Sequence, residues 1–199
     1  MPPDLLVFDT SGPWVAVGAG AVTRVERLQT GQGERLFPLI DEVLAEAKLA
    51  RTDLARLVVS TGPGNFTGTR IGVAAARSMA VALSVPAVGV SRLQALAALV
   101  PGAQRVGVAA YRGHSYVQGC SAGALVGAPG LLTDAALEDG TNLHHDGTID
   151  GFSPHPLEDV IGSMAAIGAA ADPATRPAPL YLRAPDAAAP TEATPAILD

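Results

Sequence analysis

Gly62-Pro63-Gly64-Asn65-Phe66-Thr67-Gly68-Thr69-Arg70-Ile71-Gly72 is the stretch whose reading decides the fold. The apolar run Leu57-Val58-Val59 leads into it, and an Ala-rich run from Val73 to Leu83 leads out. The pattern is strand, glycine-rich turn, helix. Glycines in such a turn let the backbone come close to another group. The first amides of the helix stay free for an anion or for a partner's carbonyls. A turn that holds no ligand fits the same residues. Two phosphate-binding patterns are excluded. Thr69-Arg70 follows Gly68, so the lysine of a P-loop is missing, and Thr67 stands where the third glycine of G-x-G-x-x-G belongs.

Working outward, Leu5 to Phe8 reads as a buried strand that ends in the polar turn Asp9-Thr10-Ser11. Trp14–Val17 and Ala21–Leu28 read as a hairpin. Residues 34–48 read as a helix, with Leu36, Leu39, Ile40, Val43, Leu44 and Ala47 on one face and Phe37 widening it. Strand 57–60, helix 67–83, a short strand at Ala87-Val88 and helix 91–99 follow. Three strands, then helices alternating with strands, predict an α/β unit with a mixed sheet. In helix 67–83 the small residues Gly68, Gly72, Ala76 and Ala80 recur every four positions. That stripe admits a close neighbour, either the chain's own sheet and helix 34–48 or a second molecule. Past Pro101-Gly102, Val106–Val108 and Ser115–Val117 suggest paired strands. Leu131–Leu137 and Leu157–Ala171 suggest helices, and Leu180-Tyr181-Leu182 a strand-like island.

Composition narrows the function. The 199 residues carry a net charge of −6, and residues 100–199 hold 4 basic against 11 acidic side chains. A surface of that sign is a poor lone holder of tRNA or DNA. One cysteine, Cys120, excludes an internal disulfide framework and fits a reducing compartment. Neither a signal peptide nor a membrane-length apolar run is visible, which predicts a cytoplasmic protein without a membrane partner.

Three local patterns invite chemistry. Gly119-Cys120-Ser121-Ala122-Gly123 matches G-x-S-x-G, but that elbow needs a helix after it, and Ala124-Leu125-Val126 reads as a strand. His114, His144, His145 and His155 lack metal-ligand spacing, and His144-His145 reads as a solvated loop pair. Asp9 closes the first strand, where an open α/β sheet binds ligands, yet an Asx-turn onto the Ser11 amide explains it equally well.

Leu5–Ser11, Glu34–Leu44, Gly62–Gly72 and Pro86–Ala97, in that order and at sensible spacing, closely resemble the TsaB (YeaZ) family over residues 4–100. The likeness is faint at 105–117 and returns at Leu180–Pro185. The resemblance implies the actin-like and sugar-kinase-like ATPase fold, with two RNase-H-like lobes of mixed sheets flanked by helices. It implies an N-terminal lobe over 1–100, a reduced C-terminal lobe over 101–185 and a flexible tail over 186–199. It also implies a non-catalytic scaffold subunit of the tRNA threonylcarbamoyladenosine complex. Such a subunit binds the paralogue TsaD as a heterodimer, joins TsaE in the full assembly, meets tRNA only through the complex, and can form a homodimer when alone.

The residues bear on that reading. TsaD carries a metal-binding H-M-E-A-H where this chain has Arg92-Leu93-Gln94-Ala95-Leu96. A guanidinium and an isobutyl group cannot replace two imidazoles at a metal, so no metal site and no catalytic residue is expected. The expected partner surface comprises Phe37, Gly68, Arg70, Gly72, Ala76 and Met79. A vestigial nucleotide site would use Asp9, Thr10, Ser11, Gly62 and Gly64. No cofactor is required, and the fold leaves room for ATP or ADP at the partner interface. Three departures weaken a nucleotide site or alter the turn: Gln32-Gly33-Glu34 for H-S-E, Asn65 and Thr69 in the glycine motif, and Ala109-Ala110-Tyr111-Arg112 for D-A-R-R. A nucleotide-using ATPase or kinase of the same fold, and a peptidase, are the rival readings.

Overall fold

A computed structural model describes residues 1–102, 104–137, 142–150 and 152–182. Its chain order is β1 (Leu5–Asp9), β2 (Trp14–Ala19), β3 (Val22–Arg27), α1 (Gln32–Glu46), β4 (Arg56–Ser60), α2 (Phe66–Leu83), β5 (Ala87–Val90) and α3 (Arg92–Ala98). Then come β6 (Gln104–Ala109), β7 (His114–Ser121), β8 (Ala124–Thr133), β9 (Leu143–His145), β10 (Ser153–Pro154) and α4 (Leu157–Ala170).

The strands form two five-stranded sheets, ordered β3-β2-β1-β4-β5 and β10-β9-β6-β7-β8. Read from the other edge, the second sheet repeats the first. In each, a three-strand antiparallel meander is followed by two strands parallel to its first member. This duplicated unit is the RNase-H-like lobe of the actin-like fold. The second copy is reduced. A 3-10 turn at Asp134–Leu137 stands between β8 and β9, where the first copy has α1. No helix of the described residues lies between β9 and β10, where the first copy has α2.

Local chemistry sets the helix ends. The Asn65 side chain accepts the Gly68 amide at 2.9 Å and caps α2. Ser91 and Gln94 cap α3 reciprocally. Lys48, at φ 58°, stops the helical run before the predicted residue 48. The guanidinium of Arg56 donates to the carbonyls of Gly168, Ala169 and Ala171 and closes the far end of α4.

Packing divides into layers. α1 and α2 cover one face of the first sheet through Leu36, Ile40, Val43, Val73 and Ala76. α3 and α4 fill the space between the sheets, in one core that runs from Leu5, Val7 and Val58 through Leu93, Leu96 and Met164 to Val106 and Val108. α4 lies flush on β4, because a Cβ at Gly168 would fall on the Val58 side chain. A helix encoded after residue 150 therefore covers a sheet encoded before residue 91.

Some expectations need correction. Leu131–Leu137 is the end of β8 plus a 3-10 turn, not a helix. His144 and His145 belong to β9, and His145 is buried rather than solvated. Leu180–Leu182 adds no strand to either sheet; it runs along the rim of the first, tied by the Leu180 amide to the Thr61 carbonyl. The tail 186–199 and the resembling residues Arg183–Pro185 lie outside the described residues.

Candidate functional site

The carboxyl ends of β1, β4, β6 and β9 converge on one cleft of about 1050 Å³, the place where open α/β sheets receive ligands. Ser11, Gly12 and Pro13 follow β1, and Pro63, Gly64 and Asn65 follow β4. Ala110, Tyr111 and Arg112 follow β6, and Gly147 and Thr148 lie just beyond β9. Arg27 and Gln29 enter from the end of β3, while Phe66, Leu180 and Tyr181 form part of the rim.

The floor is a buried polar chain. Asp9 Oδ1 accepts the Ser11 amide at 2.7 Å and the Ser11 hydroxyl at 2.6 Å. Its Oδ2 accepts Trp14 Nε1–H at 3.0 Å. Arg92 lies 4.8 Å from the Trp14 ring centre, donates from Nη1 to the Pro63 carbonyl at 2.9 Å, and pairs with Asp146. The other oxygen of Asp146 accepts the Thr148 hydroxyl at 2.6 Å, and Thr148 Oγ1 accepts the Ala109 amide at 3.0 Å. Arg92 and Asp146 are both buried, so their charges compensate each other out of water.

Among the expected nucleotide residues, Ser11 and Gly64 line the cleft, while Asp9, Thr10 and Gly62 lie beneath it. Asp9 forms the Asx-turn and has both oxygens engaged. Thr10 donates its hydroxyl to the Gly68 carbonyl at 2.7 Å. A Cβ at Gly64 would fall on the Ser11 carbonyl, so the glycine turn is pressed onto the β1–β2 turn.

The small-residue stripe turns inward. A Cβ at Gly68 would fall on the Thr10 carbonyl, and one at Gly72 would sit 2.7 Å from Thr10 Oγ1. Ala76 and Met79 are buried against the first sheet. These four residues of the expected partner surface are corrected to internal packing: the two glycines are met by Thr10 of the turn after β1 and, at Gly72, by Val59 of β4, while Ala76 and Met79 are core residues. Phe37 and Arg70 do face outward. With them the outer side of α2 presents Phe66, Ala74 and Val81, the last 81% exposed.

The metal-ligand and nucleophile patterns gain no support. Among the described residues no three His, Cys, Asp or Glu side chains are grouped to hold a metal. Ser121 ends β7 at a hairpin into β8, so the G-x-S-x-G string lacks its helix. Ala109 ends β6 as Asp9 ends β1. No Asp or Glu among the described residues lines the cleft. A magnesium–nucleotide complex, which the fold family implies, needs carboxylate and water ligands beside its phosphates. This donor set does not fit it.

A family model described as "TsaD: tRNA N6-adenosine threonylcarbamoyltransferase" matches residues 28–120. Uncharacterized protein Rv3421c of Mycobacterium tuberculosis is 34% identical over 198 residues, covering 92% of this chain and 93% of its own. The tRNA threonylcarbamoyladenosine biosynthesis protein TsaB of Haemophilus influenzae is 35% identical over 97 residues, 47% of this chain and 41% of that protein. A Pseudomonas aeruginosa crystal structure, titled as an uncharacterized protein with similarity to peptidase YEAZ, superposes with a TM-score of 0.70 at 25% identity. It covers 90% of this chain and 99% of its own. The chain belongs to the TsaB family. The family match by sequence to H. influenzae TsaB covers under half of either chain, whereas the structural match spans both sheets. No helix of the described residues is long and apolar enough to cross a membrane.

Proposed function

We propose that this TsaB-family chain acts in tRNA threonylcarbamoyladenosine biosynthesis as a non-catalytic scaffold that binds and supports TsaD. The observation that carries this reading is Arg92. It stands where the resemblance places a metal-binding histidine of TsaD, and its guanidinium is consumed by Asp146 and the Pro63 carbonyl. Leu96, at the second histidine position, is buried in the core. The cleft floor thus holds interactions that fix the fold, and the carboxylates of Asp9 and Asp146 in it are both engaged.

The partner surface is the outward side of α1 and α2. Phe37 and Val81 are exposed there, with Arg70 at the end near the cleft. The matched family model is that of TsaD itself and spans α1 to β7. A TsaD chain therefore carries an equivalent pair of helices, and like surfaces pair about a local two-fold axis. The same surface supports a homodimer when TsaD is absent. TsaE joins the full assembly in the cytoplasm, and tRNA is met through the complex.

An ATPase or kinase reading is disfavoured by the lack of carboxylates among the described residues that line the cleft, and a peptidase reading by the hairpin around Ser121. The test is a reconstituted tRNA modification reaction containing TsaD, TsaE, threonylcarbamoyl-adenylate and tRNA, with and without this chain. The proposal expects modified adenosine only with the chain present, and neither ATP hydrolysis nor casein cleavage by the chain alone. Equal modification without it, or turnover by the isolated chain, contradicts the proposal.

A further inference from the structure

The outer start of α2 carries a guanidinium held in place from two sides. Arg70 stands one helical turn after Phe66, and its guanidinium carbon lies 3.8 Å from the centre of the Phe66 ring. Its Nε donates to the Tyr181 hydroxyl at 2.7 Å. The Phe66 and Tyr181 rings are 5.3 Å apart, centre to centre, at 37°. All three side chains are exposed.

Tyr181 reaches this cluster from the segment after α4, and that segment is anchored without Arg70. The Leu180 amide donates to the Thr61 carbonyl at 2.8 Å, and Arg77 Nε donates to the Pro177 carbonyl at 2.8 Å. Pro177 Cα lies 3.2 Å from where a Cβ on Gly89 of β5 would be. The Tyr181 hydroxyl therefore meets Arg70 from a fixed position.

An exposed arginine ordinarily loses rotamer freedom when a partner binds it, which costs affinity. Here that ordering is already made. One face of the guanidinium lies on Phe66, and the Nε edge is spent on Tyr181. Neither Nη group bonds a described residue. What remains is the end-on fork, whose paired N–H donors match the two oxygens of one carboxylate. Arginine and tyrosine together are also the composition of interface hot spots.

A phosphate offers similar oxygens, but the surroundings select a carboxylate on a protein. α1, beside α2, exposes Glu34, Asp41, Glu42 and Glu46. That acidic flank repels an extended polyanion such as RNA. Phe37 and Val81 on the same outer side suit an apolar protein surface.

We propose that Tyr181 is a positioning residue of the partner surface: with Phe66 it fixes Arg70 as a receptor for one carboxylate of TsaD. The partner surface thus extends from α1 and α2 onto the segment after α4. This inference rests on the reading that TsaD docks there.

The test is calorimetry of the full chain with TsaD from the same organism. Arg70→Gln is expected to weaken binding about tenfold or more. Arg70→Lys is expected to weaken it nearly as much, since lysine keeps the charge and lacks the fork. Tyr181→Phe keeps the ring and removes only the hydroxyl, and is expected to weaken binding about threefold or more. The double variant Tyr181→Phe/Arg70→Gln is expected to bind no worse than Arg70→Gln alone, because Tyr181 acts through Arg70. Melting temperatures are expected to stay unchanged, since these side chains are exposed. Undiminished affinity in Arg70→Gln, full rescue by Arg70→Lys, or additive losses in the double variant overturns the proposal. So does tRNA binding by the isolated chain that Arg70→Gln abolishes, which assigns the fork to phosphate. If the unaltered chain does not associate with TsaD, the partner reading falls and this inference with it. If it associates and the variants bind equally well, this inference alone falls.

Discussion

Arg92 Nε donates to Asp146 Oδ2 at 2.8 Å, which joins the start of α3 to the loop after β9 and so ties the first sheet to the second. Both side chains are almost wholly out of solvent. Removing one partner strands the other as a buried charge, whereas replacing the pair by apolar groups need not destabilise. Asp146→Ala is expected to cost about 3–5 kcal/mol in urea unfolding. Arg92→Met/Asp146→Leu is expected to recover part of that loss, and the double-mutant cycle to show coupling. Additive losses would mean that the pair does not act as a unit.

The inward stripe of α2 makes a paired prediction. Gly72→Ala places a methyl against Thr10 Oγ1 and is expected to destabilise by about 1–3 kcal/mol. Gly162→Ala, in α4 with nothing within 4 Å of the added Cβ, is expected to stabilise by about 0.5–1 kcal/mol. Thermal melts of the two variants decide it. A neutral Gly72→Ala would return the stripe to the molecular surface.

Burial holds the imidazoles of His145 and His155 below their ordinary range, and the neighbouring His144 pushes His155 the same way. The folded chain thus prefers both neutral, while the unfolded chain takes up protons near pH 6.5. Stability from this source is fully present above about pH 6.5 and is lost as pH falls toward the lower folded values. Urea midpoints measured between pH 5 and 7 are expected to rise with pH. His155→Gln is expected to flatten that slope, and an unchanged slope would assign the pH dependence elsewhere.

The shared core predicts that residues 1–100 do not fold alone. Without α4, the face of β1 and β4 that bears Val7 and Val58 is exposed. A 1–100 fragment is expected to lack a cooperative thermal transition by circular dichroism. A sharp transition would make the first half an independent domain.

Much of this was legible in the sequence, for identifiable reasons. The first sheet and its helices announce themselves through local signals: apolar runs bounded by glycine, and apolar positions at helical spacing from Leu36 to Leu44. The second sheet is weaker to read because β8 carries Gly127, Pro129 and Gly130 and is mostly exposed, so Leu131–Leu137 mimics an amphipathic helix. The cleft was the least visible part. Asp146 is 54 residues from Arg92 and sits in a polar loop whose pairing no periodicity reveals. Arg92 at a histidine position was a signal that an acidic partner had to exist. Arg27 and Arg112 gave no signal, since single arginines at strand ends are ordinary. The stripe Gly68-Gly72-Ala76 is plain in the sequence, but spacing alone does not say which neighbour comes close.

The most direct measurement is the affinity of this chain for TsaD from the same organism, by calorimetry, with and without Phe37→Asp/Val81→Asp. Both side chains are exposed on the outer side of α1 and α2, so the fold should tolerate the changes. The account predicts a one-to-one complex that the double variant weakens at least a hundredfold with its melting temperature preserved. Undiminished affinity in the variant, or no association of the unaltered chain, would contradict it.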